Sequence, residues 1–427
     1  MVALARIFRR GLGENRAKIG LFARAMNAVI ASVDTGKITV ALPSGERIEH
    51  IGTRPGPSAA INIHRWRAVR RLAIGGDLGF AEAYIDGDWS TSDLEACLEL
   101  AARNIDMLDG KISGHLAVRL LHRFRHALRA NNKTGSRKNI AYHYDLGNAF
   151  YREWLDPSMT YSSALYTKPT LSLEEAQRAK IERVKQLLSI EGGEQVLEIG
   201  CGWGALAASL GHAGATVDGV TLSSAQLDHA TECIRANGLQ EAVRLQLKDY
   251  RDVTGSYDRI VSIEMLEAVG EAYWPLFFKT LQQRLRVGGH AVLQVITINE
   301  SRFTAYRGAA DFIQRHVFPG GMLPTKSIIQ EQAAHAGLQL VQSEYFGLNY
   351  ARTLLEWRRR FHAAWPRISA LGYSEQFHRL WDYYLCYCAA GFKAGTIDVG
   401  LYVLERPADP TRRRLETAAF RPALPKN

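Results

Sequence analysis

Long apolar runs are missing from this chain. Nowhere do consecutive hydrophobic residues approach the roughly 20 that a membrane-crossing helix needs, although 47% of the 427 residues are hydrophobic. A helical span is thereby excluded, and the apolar content is left to build a core large enough for two or three domains. Cysteine is scarce as well: Cys97, Cys201, Cys233, Cys386 and Cys388 are the whole complement, and none shows the short paired spacing of a zinc site. That usage points to a reducing compartment and no structural metal. The opening Met1-Val-Ala-Leu-Ala-Arg-Ile-Phe-Arg-Arg10 lacks a long signal-type apolar stretch, so a cytoplasmic site of action is expected.

Acidic residues are in deficit. Lys and Arg number 53 against 43 Asp and Glu, a formal net charge of +10, which calls for an anionic partner, either nucleic acid or an acidic membrane surface. Placement of the charge favours the second: Arg6, Arg9, Arg10, Arg16, Lys18 and Arg24 alternate with Leu4, Ile7, Phe8, Ile19, Leu21 and Phe22, a basic amphipathic stretch suited to lie on lipid. A second basic helix is expected over Leu116–Ala130.

What is abundant at one point is glycine. Gln195-Val-Leu-Glu-Ile-Gly-Cys-Gly-Trp-Gly204 reads as a buried strand breaking into three alternate glycines, with a helix starting near Ala205. Glycine lets a ligand approach the backbone closely, and the first helical turn offers unpaired N–H groups. Further strands follow at Thr216–Leu222, Val243–Lys248 and Asp258–Ile263, with a helix from Ser223 to about Asn237. Strands alternating with helices imply a parallel sheet with its ligand at the strands' carboxyl ends, where Glu198, Thr221, Tyr250 and Ile263 fall. The pattern is E-x-G-x-G-x-G and not G-x-G-x-x-G with a later acid, which favours S-adenosylmethionine over a nicotinamide.

The predicted fold is α/β: a Rossmann-like methyltransferase sheet with helical lid insertions, plus a small α+β amino-terminal domain. The domains are expected at 1–130, with alternating Ile38, Val40 and Leu42, then Ile61 and Ile63, then helices from Trp66 to Ala102; at a linker over 131–136; at 137–405; and as a basic tail over 406–427. Polar aromatics over Ile140–Tyr166 suggest a lid over the cofactor. Val287–Ile298 reads as a turn and fifth strand, Phe312–Phe392 as aromatic helices within an acyl-pocket insertion spanning about 300–392, and Ile397–Leu404 as the last strand.

On His143-Tyr-Asp-x-Gly-Asn, Met159-Thr-Tyr-Ser, the glycine motif, Gly219-Val-Thr-Leu-Ser, Asp249-Tyr-Arg-Asp, Phe318-Pro-Gly-Gly-Met-Leu-Pro and Tyr350-Ala-Arg-Thr-Leu, residues 137–405 resemble the cyclopropane fatty acid synthase and mycolic acid methyltransferase family. The resemblance implies methylation of the double bond of an unsaturated acyl chain on a membrane phospholipid. It places the cofactor against Tyr161 and Ser162, against Val196, Leu197, Glu198, Ile199, Gly200, Cys201, Gly202, Trp203 and Gly204, against Thr221, Leu222, Ser223 and Gln226, and near Tyr250, Arg251 and Ile263.

The same resemblance implies a bound bicarbonate as base. Here only Glu267 and Tyr350 match that site. Ser163 stands where a lid cysteine is expected, Gln294 replaces a histidine, Ala268 replaces another, and Glu264 occupies a position usually held by glycine. A carboxylate has the size, charge and acceptor geometry of bicarbonate, so bicarbonate is doubted and Glu264 is the expected built-in base. Cys388 is the family-matched cysteine, expected to pack. Two other readings stay open at this point. A nucleic-acid methyltransferase would carry an Asn/Asp-Pro-Pro-aromatic or catalytic cysteine motif after the fourth strand, where this chain has Ile263-Glu-Met-Leu-Glu-Ala268, so no nucleic acid is expected; a non-catalytic lipid-binding protein is the other. The altered base site favours a methylene or methyl-branched product, with a true cyclopropane synthase as the alternative, and a homodimer is left open by the residues.

Overall fold

The computed structural model describes residues 26–112, 146–308 and 310–408. The basic stretches at 4–24 and 116–130, the linker, His143 and the tail from 409 onward lie outside the described residues. The described chain forms two compact units. One comprises residues 26–112, 310–312 and 373–394; the other comprises 146–308, 313–372 and 395–408.

The first unit is built on a four-stranded sheet in the order β2-β1-β3-β4, with β1 Thr35–Ala41, β2 Arg47–Ile51, β3 Arg54–Ile63 and β4 Trp89–Thr91. The alternation that marked β1 in the sequence is a burial pattern, since Ile38, Val40 and Leu42 all turn inward. Helix α1 (Trp66–Ile85) is interrupted at Gly76, where φ is 62° and ψ is −143°, a conformation closed to other residues. The aromatic segment ending at Trp89 is core packing: the indole is fully buried, stacks on Phe80 at 4.2 Å and donates from Nε1 to the Phe80 carbonyl. The helix Glu375–Ala394, expected within the 300–392 insertion, is a component of this unit. Its Asp382 accepts from the Tyr84 hydroxyl at 3.0 Å, and Arg379 donates to the carbonyls of Tyr84 and Trp89.

The second unit carries a seven-stranded sheet in the order β10-β11-β9-β8-β5-β6-β7. Strands β5 (Gln195–Ile199), β6 (Thr216–Thr221), β7 (Val243–Leu247), β8 (Tyr257–Ile263) and β9 (Leu285–Ile298) are parallel, β11 (Ile397–Glu405) runs antiparallel to β9, and the edge strand β10 (Gln339–Tyr345), antiparallel to β11, points the same way as the first five. The chain leaves β5 outward to β6 and β7, then returns to β8 on its other side, so the switch point lies between β5 and β8, where such sheets bind ligands. The expected strands are all present. β10 escaped the sequence reading because Gln-Leu-Val-Gln-Ser-Glu-Tyr shows no alternation and its residues are half-buried or exposed at the sheet edge. Helices α2 (Leu173–Leu188), α3 (Ala205–His212), α4 (Ser224–Ala236) and α5 (Gly347–Ala370) belong to this unit and supply or adjoin residues of the site below.

Candidate active site

At the end of β5 the chain turns on Gly200, Gly202 and Gly204, all at positive φ. A Cβ on Gly204 would lie 3.0 Å from that of Ala230, so this glycine is needed for packing; a Cβ on Gly202 would project into open space. The turn therefore leaves room beside the backbone where the cofactor is expected. Glu198 is buried at its rim, its Oε2 has no hydrogen-bond partner, and burial pushes its carboxyl up to about 8 against the pull of Lys180. An orphaned buried carboxylate oxygen beside an open glycine turn is an acceptor set for a ligand ammonium. S-adenosylmethionine, which carries one, fits these residues.

The neighbouring candidates are placed at the same edge. Val196, Leu197 and Ile199 are buried in β5, while Cys201 and Trp203 are buried in the turn. Thr221 ends β6 and donates from Oγ1 to Gln226 Oε1 at 3.0 Å; Ser223 caps α4 by accepting from the Gln226 amide, with Leu222 between them. Tyr250 and Arg251 follow β7. The guanidinium of Arg251 grips Asp249 through Nε at 2.8 Å and Nη2 at 2.6 Å and lies 5.6 Å from the Tyr250 ring and 5.5 Å from that of Tyr273, a slot suited to a planar ring.

The lid, residues 159–166, is held from three sides. Leu165 N–H donates to the Ala176 carbonyl, Ala164 N–H to Thr353 Oγ1 and Tyr166 N–H to Asn349 Oδ1. From α2, Gln177 Nε2 donates to the Ser162 carbonyl at 2.9 Å and Lys180 Nζ to Ser162 Oγ at 2.7 Å. Tyr161 packs among the rings of Tyr151, Trp154 and Trp357.

The third side is Glu264. Its Oε1 accepts from the Ser163 N–H at 2.9 Å and from Gln294 Nε2 at 2.7 Å, and its Oε2 accepts from the Tyr350 hydroxyl at 2.6 Å. The residue sits just past Ile263 with φ at 52°, in the left-handed region, and its own N–H donates to the Gln294 carbonyl. Four of the residues singled out from the sequence, Ser163, Glu264, Gln294 and Tyr350, thus meet at one carboxylate. Glu267 lies one short helical turn away. Its Oε1 accepts from the Ile296 N–H, and its Oε2 is buried without a partner. Burial and the Glu264 charge push Glu267 up to about 8, whereas Glu264, also raised by burial, is drawn back by its three donors and by Lys180. The pair therefore keeps one proton, and Glu267 is its holder. Ala268 contributes no polar group here. Cys388 lies in the first unit, where burial and Asp311 push its thiol up and disfavour a thiolate.

Lys180 and Gln177 were not read from the sequence, and Asp249 was read only as part of a motif and not as a site residue. For Lys180 a signal existed: Ala176, Lys180 and Val184 recur at four-residue spacing on the buried stripe of α2, and a lysine on an apolar stripe is out of place unless it has a partner inside. Among the described residues no helix is long and apolar enough to cross a membrane, and no group of three or more His, Cys, Asp and Glu residues is arranged to hold a metal.

The profile of the family described as mycolic acid cyclopropane synthetase matches residues 131–401. The tuberculostearic acid methyltransferase UfaA1 of Mycobacterium tuberculosis is 40% identical over 82% of this chain and 83% of its own length. The cyclopropane-fatty-acyl-phospholipid synthase of Escherichia coli is 36% identical over 82% and 88%. Among solved structures, the mycolic acid cyclopropane synthase CmaA1 complexed with SAH and CTAB is similar with a TM-score of 0.59 at 31% identity, over 63% of this chain and 97% of the other.

Two outcomes follow from this geometry. Gly202→Leu should abolish cofactor binding in calorimetry while costing only about 1–2 kcal/mol of stability for the left-handed backbone; unchanged affinity would contradict the placement. Glu267 takes its proton at about 8 folded against 4.5 for the ordinary group, so the stability it confers is complete below about 4.5 and is lost as pH rises to about 8. Glu267→Gln, neutral throughout, should melt above the parent at pH 8 and lose that advantage by pH 4.5; a pH-independent difference would count against the shared proton.

Proposed function

The chain belongs to the mycolic acid cyclopropane synthetase family of S-adenosylmethionine-dependent methyltransferases acting on lipids, and from that premise we propose that it methylates the double bond of an unsaturated phospholipid acyl chain, with Glu264 as the base. When bound, the cofactor supplies an electrophilic methyl group on a sulfonium. Methylation at one alkene carbon uses the π electron pair for the new C–C bond and leaves a positive charge on the acyl chain, which is discharged when a C–H bond gives its electrons back and its proton to a base.

The observation that carries this reading is the three-point seating of the Glu264 carboxylate by Ser163, Gln294 and Tyr350. Hydrogen bonds to a charged acceptor contribute about 1.5–3 kcal/mol each, enough to keep this carboxylate ionised while Glu267 holds the proton. The half-buried Tyr161, backed by the buried Trp154 and Trp357, excludes water that would otherwise capture the cation. Bicarbonate becomes unnecessary because the protein supplies its own carboxylate.

The identity of the proton lost decides the product. Loss from the added methyl closes a cyclopropane; loss from a neighbouring chain carbon leaves a methyl-branched or methylene product. A base fixed to the protein at three points differs from a small exchangeable anion in where it stands, and this favours the second outcome. Sequence similarity to a relative named for tuberculostearic acid methylation supports the same direction.

Purified enzyme with monounsaturated phospholipid and labelled cofactor should give acyl chains that carry the label and retain olefinic proton resonances; upfield cyclopropane resonances would return the chain to ring formation. In the same assay Glu264→Gln should lose about 100-fold or more in turnover, with no rescue by added bicarbonate, and near-normal turnover would remove Glu264 from the mechanism.

Action at the cytoplasmic face of an anionic membrane completes the proposal, resting on the basic stretches at 4–24 and 116–130. With a Debye length of about 8 Å at physiological ionic strength, co-sedimentation with anionic vesicles should fall steeply as salt is raised. Equal binding to neutral and anionic vesicles across the series would oppose it.

A further inference from the structure

Two polar side chains on α2, Gln177 and Lys180, are buried on the face that meets the lid. The capping box of Ser172 and Glu175 fixes the start of this helix and so the direction in which that face points. Gln177 satisfies its amide nitrogen on the carbonyls of Ser162 and Thr160, leaving its Oε1 buried without a partner. Lys180 is under-satisfied as well. An ammonium has three N–H donors, and among the described residues this one makes a single hydrogen bond, to Ser162 Oγ at 2.7 Å. Burial pushes it down to about 8, with Glu264, Asp156 and Glu198 drawing it back up.

Within its electrostatic reach is the complementary deficit, the partnerless Oε2 of Glu198 at the end of β5. The two buried groups, an amine and an acid, do not meet in an ion pair, and burial holds the proton on the Glu198 carboxyl unless a further cation reaches it. Leaving both under-satisfied is costly, unless something with the reverse polarity fits between. The methionine end of S-adenosylmethionine has that polarity, an α-ammonium and an α-carboxylate on one carbon. Resting on this cofactor, we propose that Lys180, with the Ser162 hydroxyl, binds the α-carboxylate while Glu198 takes the α-ammonium.

The location adds a consequence for the reaction. Ser162 is the lid residue that Lys180 touches, and the next residue, Ser163, donates its N–H to Glu264. Carboxylate recognition and base positioning therefore share one dipeptide. Lys180 acts at the cofactor and not on the acyl chain, and filling its free donors fixes the segment that orients the base.

Calorimetry on the full chain with S-adenosylmethionine and with decarboxylated S-adenosylmethionine, which lacks only the carboxylate, tests this without turnover. The parent should prefer the intact cofactor by about 10- to 100-fold, the range expected for hydrogen bonds to a charged group. Lys180→Met should lose that preference by weakening the intact cofactor alone, and Lys180→Arg should keep part of it. Equal weakening of both ligands by Lys180→Met would show that the lysine only braces the lid and would overturn the proposal. A parent enzyme that binds the two ligands equally would do the same, whether or not the Met variant folds. Either failure leaves the Glu264 reading intact, since that is judged by product and turnover.

Discussion

A single carboxylate, that of Glu264, joins three parts of the chain that are remote in sequence: the lid through Ser163, β9 through Gln294 and α5 through Tyr350. This arrangement is expensive in isolation. A left-handed φ on a non-glycine residue costs about 1–2 kcal/mol, and an ionised group taken from water costs several more unless its lone pairs are filled. Three charge-assisted hydrogen bonds of about 1.5–3 kcal/mol each are of the size needed to offset both. Removing any donor would leave the remaining cost standing; of the departures from the family pattern, Gln294 serves Glu264 through its side chain, whereas Ser163 serves it through a backbone N–H that any residue would supply.

The charge arrangement around that carboxylate is equally constrained. Glu267 lies in the field of Glu264, and Lys180 is the buried cation coupled to Glu264 and to Glu198. Full ionisation of Glu264 and Glu267 together is prohibitive in such surroundings. The structure resolves the conflict by unequal solvation: Glu264 receives three donors, while Glu267 has one backbone N–H and a bare oxygen. Protonation therefore falls to Glu267, and the negative charge is concentrated on Glu264.

Much of this was legible in the sequence, for identifiable reasons. The glycine turn and alternating parallel strands are local patterns, and local patterns survive into the fold; Ser163, Glu264, Gln294 and Tyr350 stood out because each departed from, or matched, a family position. The left-handed turn that brings Glu264 inward could not be read, because nothing in Ile263-Glu-Met265 distinguishes it from an outward loop. Edge strand β10 was missed for want of alternation. The helix Glu375–Ala394 was assigned by its place in the chain, whereas its unit is decided by contacts with Tyr84 and Trp89 almost 300 positions away, and periodicity carries no information about such partners. Lys180 was hidden among the charges of α2, most of which face solvent.

These misses share a physical origin that bears on how the enzyme evolved its site. The Glu264 carboxylate is seated only because the lid already presents Ser163 N–H, and the lid is held there by Gln177 and Lys180 on a helix that makes no contact with Glu264 in the hydrogen-bond network except through Ser162 and Ser163. A base introduced on β8 without that support would be a buried, unpaired anion and would neutralise itself by taking a proton. The order of dependence thus runs from α2 to the lid to the carboxylate.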